Sequence, residues 1–211
     1  MARGKFITLE GSEGVGKTTN LEFICRYLEA AGIDSVQTRE PGGTPLAEEL
    51  RQMLLAVRDE AMSVQTELLM LFAARSQHVQ QIIEPQLAAD RWVICDRFTD
   101  ATYAYQGGGR GVDEKQIAVL EALVHGDLQP DLTLYLDLAP EIAAERIANR
   151  ERDRFEREHR AFFERVRASY LDRANRYPRF EVIDASATLE EVQSCIGEVL
   201  GRLIESSRST Q

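Results

Sequence analysis

Eight residues near the amino terminus constrain this chain more than anything else in it. Gly11-Ser-Glu-Gly-Val-Gly-Lys17-Thr18 satisfies Gly-x4-Gly-Lys-Ser/Thr, and it sits between two other readable segments. Before it, Lys5–Glu10 is a short apolar run. After it, Thr18–Ala31 repeats apolar residues at helical spacing (Leu21, Ile24, Leu28) and stops at Gly32. Strand, glycine-rich turn and helix in that order predict a phosphate-binding loop: Gly11, Ser12, Glu13, Gly14, Val15 and Gly16 turn backbone N–H groups inward around a β-phosphate. Lys17 reaches the β- and γ-phosphates, Thr18 holds Mg²⁺, and Thr19 continues a helix whose positive end faces the anion. Only three of the 25 basic residues are lysines, and one of them stands at this position, as a point-charge phosphate ligand requires. The motif predicts binding of a nucleoside triphosphate.

The rest of the chain alternates in the same way. Ser35–Arg39, Trp92–Cys95, Leu132–Leu136 and Phe180–Ile183 read as strands. Helical patterns run from about Ser63 to Glu84, ending before Pro85, and over Asp113–Val124, Pro140–Tyr177 with a break near Arg150–Arg157, and Thr188–Ile204. Pro41-Gly-Gly43 is a turn, after which Thr44 caps a helix with Pro45 at its first position. Strands separated by helices of this length predict βαβ units. The chain, 1–211, therefore reads as one α/β domain: a five-stranded parallel sheet with helices on both faces and a short arginine-rich insert.

Composition narrows the function further. With 35 acidic residues against 25 basic ones, a net charge of −10 argues against binding long polyanions or anionic membranes. The longest apolar stretch, Leu68–Ala74, is too short to span a bilayer. The first residues contain no apolar segment of signal-peptide length, so a cytoplasmic location is expected. Cys25, Cys95 and Cys195 are odd in number and lie in apolar segments, and they are expected to be small core residues.

Two carboxylates compete as the partner of Mg²⁺. Asp96 ends the run Trp92–Cys95 and Asp137 ends Leu132–Leu136. Arg97 favours Asp96, because a guanidinium beside the metal carboxylate is placed to grip a second phosphate with its fork. Asp137 reads better as a structural residue.

Several further segments resemble the bacterial-type thymidylate kinases, members of the nucleoside monophosphate kinase group of P-loop NTPases. They are Glu10–Thr19, Thr38-Arg-Glu-Pro-Gly-Gly-Thr44, Leu71-Phe-Ala-Ala-Arg75, Asp96-Arg-Phe98, Ala104-Tyr-Gln-Gly-Gly-Gly-Arg-Gly111, Leu136-Asp-Leu-Ala-Pro-Glu141 and Arg152-Asp-Arg-Phe-Glu156, in the family's order. The resemblance implies transfer of the γ-phosphoryl of ATP to the 5′-phosphate of dTMP, with Mg²⁺, in a homodimer assembled through helices such as Ser63–Glu84. It also implies roles. Phe72 stacks on thymine, with a core position as its alternative; Arg75, Thr102 and Gln106 recognise the base; Tyr105 crowds the 2′ position. Glu13 faces the 3′-hydroxyl, and Arg39, Arg51 and Arg97 surround the acceptor phosphate, a solvated arginine beside Glu48 being the alternative for Arg51.

A phosphate monoester has a second pKa of about 6, so the acceptor is already a nucleophile and no general base is needed. What the reaction requires is positive charge over two polyanions. Ten arginines against six acids between Arg146 and Arg176 make that stretch +4 within a chain of −10. The resemblance makes its first part, about 147–158, the lid. Family members carry the catalytic arginine either in the P-loop or in the lid. Gly14 follows Glu13 here, so the lid must supply it, with Arg154 first, Arg150 second and Arg152 in reserve. A nucleotide-dependent switch lacks its Asn-Lys-x-Asp segment, and six interspersed acids argue against a nucleic-acid binder. A kinase for another monophosphate is the nearest alternative.

Overall fold

A computed structural model describes residues 3–147 and 153–209. Five strands, β1 (Phe6–Glu10), β2 (Ser35–Arg39), β3 (Trp92–Asp96), β4 (Leu132–Asp137) and β5 (Phe180–Asp184), form one all-parallel sheet in the order β2-β3-β1-β4-β5. The chain leaves β1 towards β2 and β3 on one side and towards β4 and β5 on the other. The direction therefore switches at β1, and an open sheet presents its binding crevice at the carboxyl ends of such strands.

Period-two alternation splits the sheet's side chains between two layers. Ile7, Leu9, Ile94, Leu134 and Leu136 pack against α1 (Lys17–Ala30) and α9 (Leu189–Ser209) through Leu21, Ile24, Leu28, Ile196 and Leu200. On the other face Phe6, Val93 and Cys95 meet Val79, Ile83 and Leu87, while Tyr135 and Phe180 meet Phe162, Val166 and Tyr170 of α8 (Arg160–Arg176). No described helix is long and apolar enough to cross a membrane.

Local chemistry set the helix starts where expected. Thr44 Oγ1 accepts the Ala47 N–H at 3.2 Å and opens α2 (Pro45–Leu55). Ser63 Oγ accepts the Thr66 N–H at 3.1 Å and opens α3 (Val64–His78). Pro85 does not stop the long helix. A π-helical turn over Val79–Ile83 shifts the hydrogen-bond register and runs directly into α4 (Glu84–Ala88), which carries Pro85 in its first turn. The helical pattern from Pro140 breaks as expected: α7 (Pro140–Arg146) and α8 are separate. Of the three cysteines only Cys95 is a core residue. Cys25 is half-buried, and Cys195 is exposed because it lies about 100° round α9 from the buried Ile196. Between α4 and α7 come β3, α5 (Thr99–Thr102), a π-helical segment at Tyr103–Gly109, α6 (Glu114–Val124) and β4.

Candidate active site

The loop after β1 turns on glycines. Gly14 has φ 78°, and a Cβ there would lie 2.6 Å from the carbonyl oxygen of Ala143. Gly16 caps α1 from the left-handed region at φ 88°. Lys17 Nζ donates to the carbonyl oxygens of Gly11 (3.2 Å) and Ser12 (2.8 Å), folding the ammonium back along the loop. Burial, then the charge of Arg97, lower its pKa. Thr18 and Thr19 are exposed in the first turn of α1.

Pairing of β1 with β3 sets Leu9 level with Asp96, which brings Asp96 and Arg97 to the mouth of this loop. Arg97 adopts φ 67°, a left-handed conformation unusual for a side chain of its size, and its N–H donates to Leu9 O at 3.0 Å. Its Nη2 lies 2.5 Å from Glu13 Oε1, Tyr105 donates its hydroxyl to Glu13 Oε2 at 3.0 Å, and the guanidinium stands 5.0 Å from the Tyr105 ring centre. Burial works to raise the Glu13 pKa, but Arg97 and Lys17 outweigh it and hold the carboxyl at about 2. Glu10, at the end of β1, goes the other way. Burial and the nearby Asp100 raise it to about 8, against Arg97, a hydrogen bond from Tyr170 and one from the Phe98 N–H.

A cavity opens beside this group, lined by Glu13, Glu40, Pro41, Arg51, Leu55, Leu71, Arg75, Arg97, Phe98, Ala101, Thr102, Tyr105, Gln106, Asp153 and Phe155. Arg51 donates to Pro41 O at 3.0 Å, and burial followed by the charge of Arg39 lowers its pKa. It lines the cavity and is partly buried. Arg75 is almost wholly buried: Nε on Glu40 Oε2 at 2.7 Å, Nη2 on Thr102 Oγ1 at 2.9 Å and on Phe98 O at 3.2 Å. Asp96 Oδ1, Arg75 Nη1 and Arg97 Nη1 are buried and find no hydrogen-bond partner among the described residues. Buried polar atoms are rarely left this way, and two of these three, on Arg75 and Arg97, belong to residues lining this one cavity, as a polar ligand's site would have it.

Two expected residues lie elsewhere. Phe72 is buried among Leu68, Tyr103 and Ile117, off the cavity wall, with the Arg75 guanidinium 4.8 Å from its ring centre. One turn of helix spans about four residues, so it is Leu71 that shares the cavity face with Arg75. Arg39 stays at the rim, half exposed, in a two-pronged pair with Glu48 at 3.2 and 2.9 Å. Asp137 is structural, gripped by Arg167 at 2.7 and 2.8 Å and accepting the Tyr135 hydroxyl.

The segment expected to form the lid is described from Asp153 onward; Arg150 and Arg152 lie outside the described residues. Arg154 is not at the phosphate loop. Its Nη1 meets Glu67 Oε2 at 2.6 Å and its Nε donates to Leu54 O at 2.8 Å, so it fastens the lid to α2 and α3. Phe155 meets Tyr105 edge-on with ring centres 6.2 Å apart, closing one side of the cavity. A second cavity shares Glu13 with the first and runs over Ser12 between α7 (Pro140, Ala143, Ala144) and Glu156, Glu158 and Phe163. Two cavities meeting at a phosphate-binding loop suit a transfer between two substrates.

The sequence model of the family described as thymidylate kinase matches residues 9–196. The chain belongs to the thymidylate kinase family. It is 56% identical over 207 residues to a thymidylate kinase of Pseudomonas syringae pv. syringae, covering 97% of this chain and 99% of that one. Identity to a thymidylate kinase of Chromohalobacter salexigens is 60% over 200 residues, covering 93% and 94%. Its fold matches the crystal structure of thymidylate kinase from Ehrlichia chaffeensis with a TM-score of 0.76, 36% identity and coverage of 94% and 99%.

Within this family member the structure adds residues that sequence reasoning passed over. Glu40 lies in the Arg-Glu-Pro-Gly-Gly-Thr segment that helped carry the resemblance, yet it had no role. It is the counter-charge of Arg75 and takes a second hydrogen bond from His78 Nδ1 at 2.9 Å, while burial, then Arg75, act on a carboxyl whose pKa ends up lowered. Glu67 gave no signal, since an acid in the first turn of a helix ordinarily serves the helix dipole in solvent.

Proposed function

We propose that this thymidylate kinase family member transfers the γ-phosphoryl of ATP to the 5′-phosphate of dTMP, giving dTDP and ADP in the synthesis of dTTP. The observation that carries the reading is the convergence of Arg51, Arg75 and Arg97 on one cavity that meets the phosphate-binding loop at Glu13. On this reading Arg51 and Arg97 hold the acceptor phosphate, with Arg39 adding charge from the rim. Arg75, Thr102 and Gln106 face the base against a wall of Leu71 and Phe98, and Glu13 and Tyr105 face the sugar. The phosphate-binding loop, Gly11 to Thr19, holds ATP.

The acceptor oxygen needs no base, so these residues align two anions and spread positive charge over the transferred group. Lys17 and Arg97 flank the line of transfer. The unpartnered Asp96 Oδ1 and the exposed Thr18 suit Mg²⁺, which takes oxygen ligands and keeps most of its shell for phosphates and water. Held by Asp96 and Thr18 together with ATP, Mg²⁺ would supply positive charge to the phosphates. Arg154 is our catalytic lid arginine, with Arg150 second and Arg152 in reserve. In this role its guanidinium exchanges Glu67 for the donor phosphates.

The whole chain forms one kinase domain with its lid at about 147–158, working in the cytoplasm. Exposed Val64 and Leu69 on α3 and Val119 and Leu123 on α6 support a homodimer through these helices. The test is ADP formation from ATP with each nucleoside monophosphate in turn. Acceleration by dTMP above all others is expected, and strong preference for another monophosphate overturns the reading.

A further inference from the structure

Glu67 is a carboxylate on the first turn of α3 whose side chain is only 1% exposed, yet it does not touch the acceptor cavity. Its donors come from three directions. Gln106 Nε2 lies 2.7 Å from Oε1, Arg110 Nε 3.4 Å from the same oxygen, and Arg154 Nη1 2.6 Å from Oε2. With two guanidinium groups donating to it, this carboxylate acts only as an acceptor. That fixes a choice the amide of Gln106 otherwise has free: its NH₂ must face Glu67. Its carbonyl oxygen is left for the cavity, whose wall Gln106 forms while almost wholly buried itself.

On the same wall Arg75 offers the opposite polarity, its Nη1 being a buried donor without a partner among the described residues. A donor and an acceptor lining one cavity can match a base edge that presents a carbonyl next to a ring N–H. The O4 and N3–H edge of thymine has that pattern, whereas cytosine presents an amino donor and a ring-nitrogen acceptor, reversed at both positions. A buried amide facing the wrong way rejects its ligand strongly, because the unmatched groups lose their hydrogen bonds with water and gain nothing.

We propose that Glu67 is the positioning residue that sets the base specificity of this site: by locking the Gln106 amide with its carbonyl towards the cavity, it selects a pyrimidine with a protonated N3 and rejects cytosine. The proposal rests on the dTMP reading of the cavity. Glu67→Gln keeps the shape but offers Gln106 both an acceptor and a donor, so the amide is free to turn. The ratio of kcat/KM for dTMP to that for dCMP should fall at least about tenfold, with KM for dTMP raised and KM for ATP unchanged. Loosening of Arg154, or a general loss of structure, would lower both acceptors alike and leave the ratio where it was. Gln106→Leu should lower the ratio to a similar degree, and the double variant should go no lower than Gln106→Leu alone. An unchanged ratio in folded Glu67→Gln, or losses that multiply in the double variant, would overturn the proposal. If Glu67→Gln does not fold, Gln106→Leu decides: a wild-type ratio there overturns it too. Failure of the dTMP reading itself would be seen earlier, as wild-type enzyme that prefers a different monophosphate.

Discussion

Removing Glu40 tests how the proposed base-recognition corner is held. Arg75 is 3% exposed and Glu40 3% exposed, and their contact at 2.7 Å supplies the only acidic partner of this guanidinium among the described residues. His78 Nδ1 also faces Glu40, while its Nε2 meets Thr38 Oγ1 at 2.6 Å. In Glu40→Ala the guanidinium stays buried without a counter-charge, and the His78 nitrogen loses its acceptor. Breaking one side of a buried ion pair costs about 3–5 kcal/mol. For a chain of this length each kcal/mol moves Tm by about 2–4 °C, so calorimetry should show a drop of about 6–20 °C. That loss is a large part of the roughly 5–15 kcal/mol holding a typical protein folded, so Glu40→Gln, which keeps an acceptor for Arg75, should lie between the variant and wild type. Because Glu40 also aims Arg75, the surviving folded enzyme should show a raised KM for dTMP with KM for ATP little changed. A Tm within 3 °C of wild type for Glu40→Ala would refute the ion-pair argument. An equal rise in both KM values would refute the positioning part.

Arg154→Ala should lower kcat by about 10³, the scale of arginine fingers, in steady-state assays with saturating dTMP and ATP; a wild-type kcat would move the catalytic arginine to another lid position. Leu71→Ala should raise KM for dTMP more than Phe72→Ala does, whereas Phe72→Ala should cost about 3–5 kcal/mol in urea unfolding, as a buried ring in the core does; the reverse pattern would put Phe72 against the base. Glu10 has its folded pKa raised to about 8 from the ordinary 4.5, so its contribution to stability is complete below pH 4.5 and is lost as pH rises through 8. Replacing it by glutamine should therefore flatten the fall in urea midpoint between pH 5 and 8.5, and parallel curves for the two proteins would show that Glu10 is not buried as a neutral acid.

Most of the fold was legible because its signals are local. The five strand runs, the caps at Thr44 and Ser63, the break after α7 and the loop at Gly11–Thr18 each depend on a handful of neighbouring residues. The same locality explains the errors. Pro85 read as a stop because a π-helical turn six residues earlier leaves no mark in the periodicity. Both readings of Phe72, base platform and core residue, stayed open in the sequence because aromatic identity is visible there while the facing of one residue against its neighbour is not.

By itself the sequence determined the phosphate-binding loop: glycines and one lysine at fixed spacing bind an anion wherever a strand feeds a helix, and Asp96-Arg97 at the end of a second strand is the pair we propose for the metal and the acceptor phosphate. Only the tertiary structure decided which side chains share the acceptor cavity. Glu67 lies 39 residues from Gln106 and Glu40 lies 35 from Arg75, so their meeting depends on how α3 packs over the carboxyl ends of β2 and β3. Buried acids of this kind are distinguished from solvated ones by what surrounds them, and burial is a property of the packed chain.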